Sequence, residues 1–192
     1  MRGRLVGIML NRSNRGTIAA AIDALDLQPG AVAADLGFGG GIGLALLLER
    51  VGSHGGVFGV DYSPTMVDRA TRRFKSDVAS GRLQLQNGSI TQLPLQDGSI
   101  QGAITINTIY FISELDRAFS EVARVLAPSG RVVVGIGDPQ MMARIPTTPF
   151  GFTIRPVDEV VAVAKLAGLA LEEHRRVGQG DDASHLLVFS RM

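Results

Sequence analysis

Short apolar runs alternate with longer amphipathic stretches along this chain, and that alternation narrows the folds open to it. The runs are Ala31–Asp35, Val57–Asp61, Leu83–Asn87, Ala103–Asn107, Arg131–Gly135, Leu169–Arg175 and Ala183–Ser190. Apolar residues at helical spacing fill Thr17–Leu25, Ile42–Val51, Pro64–Ser76, Glu114–Leu126 and Val157–Ala167. Runs such as VVVG (132–135) and AITIN (103–107) are apolar on both faces, as strands covered by helices on both sides must be. Strands joined by crossovers of helix length pair in parallel, so the pattern predicts an α/β fold with a doubly wound, mostly parallel sheet. The last two runs are joined through GQGDD (178–182), too short for a helix, which predicts an antiparallel hairpin at one end of the sheet. Boundaries carry their own signals: Ser63-Pro64 reads as an N-cap followed by proline at the first helical position, and Pro128-Ser129-Gly130 turns a helix into the next strand.

The chain has 192 residues, 45% of them hydrophobic and 19% charged, enough for one well-buried core and an expectation of a single domain over 1–192. Residues 1–26 precede the first strand and read as a helical cap over the sheet edge or a ligand cleft. The formal net charge of +1 gives no overall attraction to nucleic acid or anionic lipid, so no nucleic-acid partner is expected. The absence of cysteine excludes disulfides, thiolate metal sites and a cysteine nucleophile. His54, His174 and His185 lie far apart without metal-ligand spacing, and no metal is expected. No run of 18 apolar residues marks a membrane span, and the start lacks a secretory pattern, which together predict a cytoplasmic protein.

The chemistry concentrates in VAADLGFGGGIGL (32–44), where five glycines fall within seven residues directly after a strand. One or two would make a flexible turn; five suggest that something bulky approaches the backbone. A phosphate-binding P-loop needs Lys-Ser/Thr where Ile42-Gly43-Leu44 stands, and the dinucleotide pattern G-x-G-x-x-G fails from either possible start. Asp61 ends the second strand, 20 residues beyond Gly41, where a carboxylate can accept hydrogen bonds from both hydroxyls of a ribose. Its competing role as a helix cap is already open to Ser63.

Asp35-Leu36-Gly37-Phe38-Gly39-Gly40-Gly41 resembles motif I of the class I S-adenosylmethionine-dependent methyltransferases. The likeness continues in register. DYSPTM (61–66) resembles the family's D-x-S-x-x-M, NGSITQLPLQDGSI (87–100) its G-D-A-x-x-L-P-F-x-D-x-S-F-D, and RVLAPSGRVVVG (124–135) its R-V-L-K-P-G-G-x-L. It spans Val32 to Gly135 and is strongest toward the small quinone-biosynthesis methyltransferases. It implies a seven-stranded Rossmann-like sheet and S-adenosylmethionine as cofactor. The cofactor would be held by Asp35, Gly37, Phe38, Gly39 and Gly41, by Asp61, Tyr62 and Met66, by Gly88, Ser89 and Ile90, and by Asn107. Two departures stand out: the family's usual acid near the adenine is Ser89 here, and its closing F-D is Ile100-Gln101.

Methyl transfer from a sulfonium is an in-line displacement that asks mainly for alignment and exclusion of water. The acceptor is therefore expected beyond the fourth strand, against Tyr110 and Phe111, with Phe150 and Phe152 added from the loop 138–156. Those two phenylalanines could equally pack on the sheet. Asn107 and Tyr110 invite comparison with the N-P-P-Y motif of amino-group methyltransferases, but both prolines are missing. No catalytic base is identified. The expected activity is methyl transfer to a small apolar or amphipathic molecule. Its alternatives are a catalytically silent cofactor-binding or scaffold protein and a nicotinamide-dependent oxidoreductase, the latter disfavoured by the missing third glycine.

Overall fold

A computed structural model describes residues 15–143, 153–178 and 183–192. After helix α1 (15–24) the chain runs β1 (Val32–Leu36), α2 (Ile42–Val51), β2 (Gly56–Asp61), α3 (Pro64–Arg73), α4 (Lys75–Ala79), β3 (Leu83–Asn87) and β4 (Ile100–Ile106). A single 3₁₀ turn (Ile109–Phe111) leads to α5 (Leu115–Val125), β5 (Leu126–Gly137), α6 (Pro139–Met142), α7 (Val157–Leu166), β6 (Leu169–Val177) and β7 (Ser184–Arg191). The seven strands form one sheet in the order β3-β2-β1-β4-β5-β7-β6. The first five are parallel, and β7 runs antiparallel between β5 and β6. The expected α/β sheet, mostly parallel with an antiparallel C-terminal pair, is the one that forms.

Burial on both faces explains the doubly apolar strands. On β5, Val132, Val134 and Ile136 face α5 and α7, packing with Phe119, Val122 and Val160. Val133, between them, faces the opposite layer with Leu44, Leu47 and Ile22 of α2 and α1. A hydrophilic residue on either side of this strand would face a helix rather than water. Strand order reverses between β1 and β4, the point where open α/β sheets leave a crevice at their carboxyl ends.

Local details depart from the sequence expectation in instructive ways. The helix expected over Pro64–Ser76 breaks at Phe74, whose φ of −106° and ψ of 31° leave the helical region. Its ring packs at the end of the glycine loop, and Arg73 lies over that ring, 4.9 Å from its centroid. β5 starts at Leu126 rather than Arg131, because Leu126 pairs with Ile100 before a bulge re-sets the register at Gly102↔Arg131. Ser129, at φ 63°, sits in that bulge. At the start of α3, Ser63 occupies the cap position but its side chain makes no capping bond. The Asp61 carboxylate organises this turn instead, accepting from the Ser63 amide at 2.8 Å.

Candidate functional site

The floor of the site is the turn from β1 into α2. Its first amide, Gly37 N–H, donates to Val60 O at 2.7 Å and ties the turn to β2. Gly37 and Gly39 both have positive φ, 83° and 47°, yet they are needed for different reasons. A Cβ on Gly37 would lie 2.4 Å from Thr108 Oγ1, so the side chain that follows β4 occupies that space. At Gly39 a Cβ would meet nothing within 4 Å. The backbone there is bare toward open volume, a cradle that a side chain would fill.

Two carboxylates flank this floor. Asp61 receives Gly39 N–H on Oδ2 at 2.8 Å and Ser63 N–H on Oδ1, so it braces the glycine turn and the start of α3 together. Each carboxylate oxygen has a second lone pair, which leaves acceptors for two hydroxyls of a ligand. Asp35, at the end of β1, is only 4% exposed and takes the Leu44 amide from the first turn of α2. Burial, with the nearby Asp61 charge adding to it, pushes its carboxyl up to about 8. α2 can approach this closely because residue 43 is glycine: a Cβ there would fall 2.2 Å from Asp35 Oδ2.

Above the floor is a cavity of about 690 Å³, within the range of small-molecule sites. Of the residues expected to hold cofactor, Asp35, Gly37, Phe38 and Gly39 line it from β1, and Asp61 and Tyr62 from β2. Gly88, Ser89 and Ile90 line it after β3, and Asn107 after β4. Two do not. Gly41 turns away, its position packed against Phe74 at 3.1 Å from a would-be Cβ. Met66, on α3, is partly buried and packs against the core. Ser89, standing where the resemblance leads one to expect an acid, bonds Thr91 Oγ1 at 2.7 Å. Gln101, the other departure, is remote from the cavity at the start of β4, where it accepts the Val32 amide at 2.7 Å.

On the acceptor side the two aromatics part company. Phe111 lines the cavity and is 64% exposed. Tyr110 points the other way: it is 3% exposed and its hydroxyl oxygen accepts from Gly137 N–H at 2.6 Å. Burial pushes that hydroxyl up to about 12, and the residue joins the end of β4 to the end of β5 rather than facing a ligand. Phe150 and Phe152 lie outside the described residues. Residues the sequence did not single out also line the cavity: Ile18 of α1, Gly43, Thr108 and Glu114. Gly43 carried a signal as the last glycine of the run, Ile18 as part of the 1–26 segment expected over the sheet edge or a cleft, and Thr108 as part of the stretch beyond the fourth strand. His174 and His185, distant in sequence, meet across β6 and β7 with Nε2 and Nδ1 2.8 Å apart, and His185 Nε2 reaches Asp138 Oδ2 at 3.3 Å. They stand apart from the cavity-lining residues. Among the described residues no cluster of three or more His, Asp or Glu could hold a metal ion, and no helix is long and apolar enough to cross a membrane.

Comparison with known proteins agrees with this geometry. Residues 34–134, from β1 through the buried part of β5, match a family described as a methyltransferase domain. The chain is 41% identical over 117 residues, 61% of its length, to an uncharacterized 37.1 kDa protein of transposon TN4556 from Streptomyces fradiae, of which it covers 33%. It is 33% identical over 108 residues to an arsenite methyltransferase of Halobacterium salinarum, covering 56% of this chain and 27% of that one. It is 27% identical over 114 residues to a 2-phytyl-1,4-naphtoquinone methyltransferase of Trichormus variabilis, covering 59% and 50%. The chain thus spans between about a quarter and a half of these relatives' lengths. Among solved structures, a methyltransferase from Haloferax volcanii, in complex with the activator Trm112, shares the fold with a TM-score of 0.82 at 21% identity, over 98% of this chain and 94% of that one. A glycine floor at the sheet's switch point, an acid closing β2 and a family match across more than half the residues lead to one assignment: this chain belongs to the class I S-adenosylmethionine-dependent methyltransferases.

Proposed function

We propose that the protein transfers a methyl group from S-adenosylmethionine to a small organic acceptor of apolar or amphipathic character. The observation that carries this reading is the bare backbone at Gly39 beside Asp61, opening on a cavity whose far wall is largely apolar. The residues present fit a nucleoside: Asp61 keeps free lone pairs for ribose hydroxyls, exposed Tyr62 and buried Ile90 offer surfaces for a flat base, and Asp35 supplies a carboxyl toward a cationic ligand. When bound, the cofactor provides an electrophilic methyl on a sulfonium. The chain's part is to orient and to keep water out, with Ile18 closing the cavity from α1 and Ile106 from β4. An organic acceptor is favoured over a metalloid because the chain has no cysteine, the soft ligand that a trivalent metalloid would seek. The naphthoquinone substrate class in one relative's name supports the apolar character.

Calorimetric titration with S-adenosylmethionine and NAD, followed by a labelled-methyl assay over a panel of naphthoquinols, phenols and amines, tests the proposal. Gly39→Leu should weaken S-adenosylmethionine binding at least a hundredfold while the protein stays folded, since a side chain at that position meets no protein atom and the left-handed backbone at φ 47° adds strain of only about 1–2 kcal/mol. Binding of NAD but not S-adenosylmethionine would overturn the reading.

A further inference from the structure

We propose that Arg155 is a positioning residue that holds the acceptor-side wall of the cavity from behind. This rests on the reading of the cavity given above. The wall is the irregular segment after β4, where Phe111, Ile112, Ser113 and Glu114 face the cavity. A segment without a strand partner still needs acceptors for its amides and donors for its carbonyls. The donors come from a stretch more than 40 residues away in the chain. Arg155 Nη1 donates to Ile109 O at 3.1 Å, and its Nη2 donates to Ile112 O at 2.7 Å and approaches Ser113 O at 3.5 Å. Two residues earlier, Thr153 N–H donates to Tyr110 O at 2.7 Å. Four carbonyls of the wall are thus engaged by one short stretch, three of them by one side chain.

Arg155 does not line the cavity, and its side chain is 9% exposed. Its carboxylate neighbour, Glu159 on the first turns of α7, lies at 3.5 Å from Nε and is half exposed, which leaves the Nη groups directed at the carbonyls. The planar guanidinium suits this task because its two terminal nitrogens diverge toward separate acceptors, which a single ammonium cannot reproduce. Tyr110 braces the other end of the same segment through Gly137. Loss of the clamp should therefore loosen the surface an acceptor touches and leave the glycine floor, the β1–α2 turn tied to the end of β2, as it was.

The test compares Arg155→Gln and the milder Arg155→Lys with the parent protein in two measurements. Amide hydrogen exchange in the S-adenosylhomocysteine complex should quicken at least tenfold at Phe111–Ser113 in Arg155→Gln, less in Arg155→Lys, and stay unchanged in β1 and β2. Dissociation constants for S-adenosylhomocysteine should move less than twofold, whereas that of 1,4-naphthoquinone for the cofactor-loaded protein should rise at least tenfold and recover in part with lysine. Native exchange at 111–113 in both variants would overturn the inference, and so would equal weakening of both ligands, which marks a general loss of fold. If the parent binds S-adenosylhomocysteine but not naphthoquinone, or binds neither, the functional reading has failed separately, and the same exchange comparison, made on the ligand-free proteins where neither binds, alone decides the role of Arg155.

Discussion

Replacing Asp35 by asparagine keeps the size of the side chain and an acceptor for the Leu44 amide, and removes the ionisable oxygen. In the unfolded chain this carboxyl titrates near 4, whereas burial beside Asp61 pushes it up to about 8 in the folded protein. Between those values the native state holds a proton that the unfolded state has released. Stability from this group is therefore fully present below about pH 4 and is lost as pH rises through 8. One group contributes a slope of about 1.4 kcal/mol per pH unit inside the window, so native stability should fall by about 4 kcal/mol between pH 5 and pH 8 relative to Asp35→Asn. Urea denaturation of both proteins at unit pH intervals reads this directly: at an m-value of about 2 kcal/mol/M, the gap in midpoints widens by about 2 M. S-adenosylmethionine, a cation at sulfur, favours the ionised carboxyl, so saturating cofactor should shrink the gap. Parallel pH dependence of the two proteins would refute the argument, because it would mean that Asp35 is as readily ionised when folded as when unfolded.

Two other substitutions probe the packing that supports the site. Gly43→Ala places a Cβ 2.2 Å from Asp35 Oδ2 and 2.9 Å from Ile104 Cδ1, and should cost about 2–3 kcal/mol in urea unfolding as α2 is pushed off the sheet. Thr105→Val should instead stabilise by about 1 kcal/mol, seen as a rise in Tm, because the fully buried Thr105 hydroxyl has no hydrogen-bond partner among the described residues.

The sheet and the glycine floor were legible in the sequence because both depend on local pattern. Val132 to Val134 had to be covered on two sides, and a strand ending in Asp35-Leu36-Gly37 had to turn tightly. Asp61 was legible for the same reason, as the polar end of an apolar run. What escaped depends on contacts far apart in the chain. Tyr110 reads as a cleft aromatic until β5 supplies the Gly137 amide, and Gly41 reads as a ligand glycine until Phe74 breaks its helix to pack there. Ser63 holds the cap position before Pro64 as its sequence signals, but without a side-chain bond, and the Asp61 carboxylate that takes its amide is a contact the cap pattern does not state.

The walls of the cavity follow a rule that no local motif states. The floor is a turn whose amides go to Val60 O, Phe38 O and the Asp61 carboxylate, and whose Gly40 carbonyl takes Arg73 Nη1 at 2.9 Å. The walls, after β3 and after β4, are irregular, and each is held by one arginine reaching from the α5 and α7 side. Arg124 donates to Leu93 O and Leu95 O and pairs with Asp97 and Glu121, while the Glu121 carboxylate accepts the Leu93 amide at 2.7 Å. The hydrogen bonds from Arg124 hold the Glu121 carboxyl below the usual carboxylate range, so the clamp keeps its charges at neutral pH. Arg155 plays the matching part for residues 109–113. A guanidinium is suited to both places because several directed donors on one side chain can satisfy a loop whose carbonyls have no strand to face. A fold that builds its site at open strand ends must find such donors elsewhere, and here α5 and the stretch leading into α7 provide them.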